Sequence, residues 1–261
     1  MAWEHIGLGF DDSVATITLN RPNALNAFVG SMRVDLLAAI DEAVRSARVL
    51  VLTGAGKAFC SGGDVRVMTS MRAEGSTDEL KPLIAQGKKV VRRFSSLPIP
   101  TLASVNGVAA GAGFSLALAC DLRIASKKAR FGASFARIGL HPDWGGTYFL
   151  TRLGGAAVAR DLIFSGRLID AEEALILGLV NEVVDHESLV ERTRDKALEL
   201  ASAAPTSIRY AKEGIARAEH ASLDEILDYE EEAQLTCFRS EDALEGLRAF
   251  GEKRRPDFKG K

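Results

Sequence analysis

Hydrophobic and polar positions alternate along Val14–Leu19, where β-branched residues dominate and Asn20-Arg21-Pro22-Asn23 follows, so this run predicts a strand ending in a turn. From Phe28 to Ala47 the period changes. Met32, Leu36, Leu37, Ile40 and Val44 recur at helical spacing, and the next run, Val49-Leu50-Val51-Leu52, is too short for a helix and stops at Gly54-Ala55-Gly56. Strand, helix, strand in this order is the βαβ signature of a parallel sheet. A glycine-rich loop at Cys60-Ser61-Gly62-Gly63-Asp64 ends where a helix is expected to start, and Ala73 to Asp78 has the polar composition of a mobile loop. The pattern then predicts a helix over Glu79–Phe94, a strand over Thr101–Val105, a short helix over Gly111–Ala119 and a strand over Leu122–Ala125. Beyond Thr147 helices dominate, broken by a short strand at Leu179–Val184, and Glu187 to Phe250 reads as helical throughout. A shift in composition near Ala204-Pro205 divides the chain into an α/β core, residues 1–204, and a helical C-terminal part, residues 205–261.

Charge and composition narrow the function classes. Thirty-three Lys and Arg stand against 35 Asp and Glu, a formal charge of -2, so no global field draws nucleic acid or an anionic membrane. No charge occurs between Arg93 and Asp121, long enough to raise a transmembrane helix, but Pro98, Pro100, Asn106, Gly107, Gly111 and Gly113 interrupt it. A buried strand, turn and helix is the better reading. Cys60, Cys120 and Cys237 form neither a disulfide framework nor a C-x-x-C pair, and Met1-Ala2-Trp3-Glu4-His5 lacks the basic flank and apolar stretch of a signal peptide. A cytoplasmic, reduced setting is expected. Gly251 to Lys261 carries five basic and two acidic side chains, which reads as a solvated tail or as one that contacts phosphate.

Several chemical signatures fail at particular residues. The third glycine of a dinucleotide fingerprint begun at Gly54-Ala55-Gly56 would be Phe59, and Gly56-Lys57 is followed by Ala58 rather than Ser or Thr. Phe59 also stands where a hydrolase elbow around Ser61 needs glycine. His5, His141, His186 and His220 form no i, i+4 pair, so no metal is expected. Two glycine segments remain, Ser61-Gly62-Gly63-Asp64 and Gly111-Ala112-Gly113. They read either as tight turns with close helix packing, or as two unobstructed backbone N–H donors able to stabilise one oxyanion. Asp143 follows Pro142 at a helix start and reads as an N-cap or as a catalytic acid or base. Trp144 reads as core or as a pocket wall.

Taken together, Arg21-Pro22-Asn23-Ala24-Leu25-Asn26-Ala27, Ala58-Phe59-Cys60-Ser61-Gly62-Gly63-Asp64, Val105-Asn106-Gly107-Val108-Ala109-Ala110-Gly111-Ala112-Gly113 and Pro142-Asp143-Trp144-Gly145-Gly146-Thr147 resemble the crotonase, or enoyl-CoA hydratase/isomerase, superfamily. The resemblance spans nearly the whole chain. It implies a spiral α/β core of ββα repeats, a helical C-terminal trimerisation region, a trimer or a dimer of trimers, and an acyl-CoA thioester substrate with no metal or redox cofactor. By similarity, Gly63 and Ala112 supply the two oxyanion N–H groups. The CoA moiety is expected to run past Ala24 and Leu25 and along Ser61, Gly62, Asp64 and Val65, with Phe250 and Lys253 contributed by a neighbouring subunit.

The departures from the family pattern redirect the expected reaction. Hydratases of the family carry two catalytic glutamates at the positions that hold Ser115 and Phe135 here, and neither side chain replaces a carboxylate. Asp143 stands where isomerase-like branches carry a catalytic aspartate, and the likeness is greatest to phenylacetate-pathway isomerases. An acyl-CoA isomerase with Asp143 as its single acid/base is therefore expected. Phe135 and Trp144 are expected to make the acyl pocket more apolar than a hydratase's. The alternatives are a hydratase with unconventional residues and a non-catalytic CoA-ester-binding protein.

Overall fold

Alternation along β2 (Val14–Leu19) sends its side chains to two different cores. Ala15, Ile17 and Leu19 enter the main core, whereas Val14 joins a smaller one with Val49, Val51, Leu102 and Ile124. The computed structural model describes residues 3–261, apart from the side chain of Thr77. Met1 and Ala2, part of the N-terminal stretch discussed above, lie outside the described residues. Strand β1 (Ile6–Asp11), not expected from the sequence, pairs antiparallel with β2. Strands β3 (Val49–Gly54), β5 (Thr101–Val105), β7 (Leu122–Ser126) and β10 (Glu182–Val184) then extend the sheet in parallel, in the order β1-β2-β3-β5-β7-β10. The anticipated βαβ unit is β2, α1 (Met32–Ala43) and β3.

Three further strands escaped the pattern because each is only three residues long. Strands β4 (Ala58–Cys60), β6 (Val108–Ala110) and β8 (Arg130–Gly132) pair side by side in parallel and, with β9 (Ile169–Asp170), form a second sheet. Strands β3, β5 and β7 each lead to a short strand and then to helix. From β3 and β4 the chain enters α2 (Val65–Ala73) and α3 (Leu80–Ser95). From β5 and β6 it enters α4 (Ala112–Leu118), and from β7 and β8 it enters α5 (Gly146–Ser165), which breaks at Gly155. This is the ββα spiral that the motifs implied, an α/β fold.

Other boundaries differ from expectation for local reasons. The first helix starts at Met32 rather than Phe28, because the Phe28 amide donates to the Gly62 carbonyl at 2.8 Å, its carbonyl accepts from Asp64 N, and Gly30 has φ +46°. Leu179 and Val180 are buried core after α6 (Ala171–Ile176), not strand. The C-terminal stretch is four helices rather than one continuous run: α7 (Leu189–Ala201), α8 (Pro205–Ala218), α9 (Leu223–Phe238) and α10 (Glu241–Glu252). Pro205 opens α8, Ser222 and Glu225 form a capping box on α9, and Ser240 caps α10. The basic tail is pinned rather than free. Buried Asp242 accepts hydrogen bonds from the amides of Lys259 and Gly260 at 2.6 and 2.8 Å, while Arg254 pairs with Glu245 and Glu252. Among the described residues no helix is long and apolar enough to cross a membrane.

Candidate active site

Because β4 and β6 are neighbours, the two glycine segments that leave their C-terminal ends meet. Gly62 adopts φ +99°, and a Cβ there would lie 2.9 Å from the Ala110 carbonyl oxygen; Gly111 adopts φ +53°. Both conformations and this approach exclude ordinary side chains. Gly113 has a packing role, since a Cβ on it would run into the Cys60 carbonyl. The amides of Gly63 and Ala112 are left as donors without a backbone acceptor among the described residues, Ala112 because it opens α4.

Buried side chains hold these turns. Asn26, fully buried at φ +56°, donates through its amide to the carbonyls of Ala55, Ala58 and Phe59 and accepts from Arg21 N. Arg21 reaches across to Asp64 at 2.6 Å, and Asp64 caps α2 by accepting from Arg66 N. The Arg21 hydrogen bond holds the Asp64 carboxyl below its ordinary range, so this carboxylate is committed to structure. Cys60, adjoining the turn, donates its thiol to the Asn26 carbonyl and is pushed up to about 12 by burial, which removes it as a nucleophile at neutral pH.

In front of the two amides opens a cavity of about 670 Å3. Val29, Met68, Leu80, Leu83, Ile84 and Leu140 make much of its wall apolar. Asp143, on the loop before α5, lines the cavity, and its Oδ1 is buried without a hydrogen-bond partner. Burial pushes its carboxyl up to about 6, against the opposing positive charge of Arg33 and a smaller one at His141. The loop is fixed by Trp144 in a left-handed conformation, φ +51°, with its ring 4.4 Å from that of Phe28 and packed on Gly87 of α3. A carboxyl that titrates near neutrality and two unoccupied N–H donors in one apolar cavity can together accept a proton and hold the resulting oxyanion.

Most of the expected site residues converge here: Ser61, Gly62, Gly63, Asp64, Val65, Ala112, Phe135, Asp143 and Trp144 all line the cavity. Trp144 is both core and wall. Ser115 does not line it; its hydroxyl donates to the Gly111 carbonyl at 3.3 Å, between α4 and the start of α5. Ala24 and Leu25, both half-buried, are not among the cavity residues, but the Leu25 carbonyl accepts from the amide of Ser61, which lines it. Phe250, 86% exposed, and Lys253, which ends α10, are not among the cavity residues. Sequence reasoning missed Phe28 and Arg33. The signal for Arg33 was present, because it shares the helical spacing of Leu36, Leu37 and Ile40 and so places a cation on the apolar stripe of α1. Among the described residues no group of three or more His, Cys, Asp or Glu side chains is placed to hold a metal ion.

Comparison with known proteins places this geometry in a family. The sequence model described as Enoyl-CoA hydratase/isomerase matches residues 9–261. The chain is 39% identical over 258 residues to a short-chain-enoyl-CoA hydratase of Clostridium acetobutylicum, covering 98% of this chain and 97% of that protein. It is also 39% identical over 260 residues to 1,2-epoxyphenylacetyl-CoA isomerase of Escherichia coli, covering 96% and 97%. Among solved structures, an enoyl-CoA hydratase from Bacillus anthracis superposes with a TM-score of 0.94 at 35% identity, over 99% of this chain and 100% of the other. With matches of this length in sequence and in backbone, the chain belongs to the enoyl-CoA hydratase/isomerase family.

Proposed function

We propose that this member of the family is an acyl-CoA isomerase that moves a double bond from the 3,4 to the 2,3 position, or rearranges a related ring-derived CoA ester. The observation that carries this reading is Asp143. Two carboxylates line the cavity, and Asp64 is engaged by Arg21, which leaves one carboxyl with a free, buried oxygen. In the proposed reaction the thioester oxygen accepts hydrogen bonds from Gly63 N–H and Ala112 N–H. Asp143 removes a proton from C2, the C2–H electron pair enters the conjugated system as a dienolate, and the same carboxyl returns the proton to C4. No water is consumed. A carboxyl near 6 suits both halves of this transfer, since it is ionised at neutral pH and its conjugate acid still donates readily.

Hydration is the second reading, and the hydratase named among the relatives at the same identity as an isomerase keeps it in play. Against it, Ser115 is engaged with the Gly111 carbonyl away from the cavity, and Phe135 fills the wall beside Gly111 with an aromatic ring, so neither supplies a second acid/base. In the same proposal the CoA moiety runs past Ala24 and Leu25 and along Ser61 to Val65. Phe250 and Lys253 join it from a neighbouring subunit of a trimer or dimer of trimers. Incubating the purified protein separately with 3-enoyl-CoA and 2-enoyl-CoA tests the reading. Formation of 2-enoyl-CoA from the first is expected. Efficient conversion of the second to a 3-hydroxyacyl-CoA contradicts it, and binding of both without turnover favours a non-catalytic CoA-ester-binding protein.

A further inference from the structure

The cavity contains a buried cation that the reaction as written does not use. Arg33, in the first turn of α1, is 8% exposed and lines the same cavity as Asp143. Its Nε is buried without a hydrogen-bond partner, just as Asp143 Oδ1 is. The guanidinium carbon lies 5.5 Å from the centre of the Phe28 ring and 6.0 Å from that of Trp144. Such contacts return less than the desolvation of a guanidinium costs. A nearby anion offsets the remainder, and the carboxyl that acts most strongly on Arg33 is Asp143. Trp144 joins the two groups physically: it follows Asp143 in the chain, its left-handed backbone sets the loop, and its ring helps to hold the guanidinium.

We propose that Arg33 is a positioning residue for Asp143: its guanidinium, packed against the stacked rings of Phe28 and Trp144 on the wall of the same cavity, supplies the counter-charge of that carboxyl. This rests on Asp143 being the acid/base of the reaction proposed above. The other groups around the pair do not substitute for Arg33. His141, on Asp143's own loop, acts more weakly on the carboxyl. Cys60, on β4, faces Arg33 as a neutral thiol. Asp64 is paired with Arg21, and Arg137 lines the cavity without being among the groups that act on Asp143. Burial already raises Asp143 to about 6 with Arg33 present. Removing that counter-charge raises the carboxyl further, so less of it is ionised at neutral pH and able to take a proton.

The test compares Arg33→Met and Arg33→Lys in the full chain by two readouts, the pH dependence of turnover of 3-enoyl-CoA and an NMR titration of the Asp143 carboxyl, assigned by its loss in Asp143→Asn. Arg33→Met is expected to raise the Asp143 midpoint by about one pH unit or more, the usual effect of an opposite charge at this range. Turnover at about pH 6.5 should then fall at least about threefold and recover as pH rises, while Arg33→Lys restores most of the wild-type midpoint. An unmoved midpoint in Arg33→Met, or an equal loss of rate at every pH, overturns the proposal. If Arg33→Met does not fold, Arg33→Gln, which keeps a polar end without the charge, replaces it under the same criteria. The titration reads the coupling whether or not 3-enoyl-CoA is turned over. A shifted midpoint in a protein that leaves 3-enoyl-CoA unchanged therefore supports the coupling and counts against the isomerase reading alone.

Discussion

The two sides of the cavity are built on opposite principles. On one side the donors are backbone amides, fixed where two parallel strands end and held by Asn26, Arg21 and the close contact of Gly62 with Ala110. The side chains of Asn26, Arg21, Asp64 and Cys60 that hold it all have partners. On the other side a single side chain, Asp143, stands on a loop whose next residue has a left-handed backbone, with one oxygen buried and unpartnered. The first side is held by these satisfied side chains, and the oxyanion role proposed for it falls to two amides left over. The second is held against its own preference, which is the usual condition of a group kept reactive. Backbone donors survive most side-chain changes, whereas a lone carboxyl does not.

The contrast can be broken on the backbone side by a single methyl group. Gly62→Ala adds a Cβ 2.9 Å from the Ala110 carbonyl at a φ of +99°, so the turn must rotate and carry the Gly63 amide with it. Turnover is expected to fall about 100-fold or more, the scale of losing one oxyanion donor. Gly63→Ala sharpens the point, because its Cβ meets only the flexible Met68 side chain at 3.5 Å and leaves the amide in place. It should keep kcat within a few-fold, with any loss appearing in KM. Equal losses in the two variants, measured by steady-state kinetics, would show that the amide is not what matters.

On the carboxyl side, Phe135→Glu places a second acid/base beside Gly111, where the aromatic ring now lies. The variant is expected to hydrate 2-enoyl-CoA at least about tenfold faster than the wild type, within the range general acid/base groups contribute. A panel of straight-chain, branched and ring-bearing CoA esters run on both proteins shows whether the ring also selects the acyl group. No gain in hydration, together with a wild-type preference for short linear chains, contradicts a role for Phe135 in both reaction and substrate choice.

The smallest effect is thermodynamic. Asp143 holds its proton up to about 6 in the folded protein but releases it near pH 4 in the unfolded chain, so raising pH through that window favours unfolding. Asp143→Asn removes this cost and should stabilise the protein at pH 7 by on the order of 1–2 kcal/mol, with the gain fading toward pH 4. Denaturant melts at several pH values check it. A variant less stable than wild type at pH 7 would mean that Asp143 makes a structural contribution the unpartnered oxygen does not reveal.

How much of this could be read from the residues depended on the length of the signal. Val14–Leu19, Thr101–Val105 and the helix near Glu79–Phe94 were readable because their periodicity runs long enough to separate strand from helix. The strands β4, β6 and β8 were not, since three residues hold no period, yet they are what bring the two glycine turns together. The glycines were visible as glycines, but only the structure divides them into Gly113, which packs α4 on β4, and Gly62, which lets two loops touch. Asp143 by itself read as an N-cap or as an acid or base. In the structure α5 is capped by Gly145 with no side-chain bond from Asp143, which frees the carboxyl for the cavity. Arg33 carried a signal in its place on the stripe of Leu36, Leu37 and Ile40, but a cation in an amphipathic helix ordinarily faces water, and only the structure shows this one turned to the cavity.

In the proposed reaction one carboxyl, set against two backbone amides, does all the proton transfer. The most direct measurement is the rate at which Asp143→Asn converts 3-enoyl-CoA to 2-enoyl-CoA, followed by the absorbance of the conjugated thioester at saturating substrate. The account predicts a fall in kcat of about 100-fold or more with little change in substrate affinity, in a protein that remains folded. A variant that turns over at the wild-type rate contradicts it.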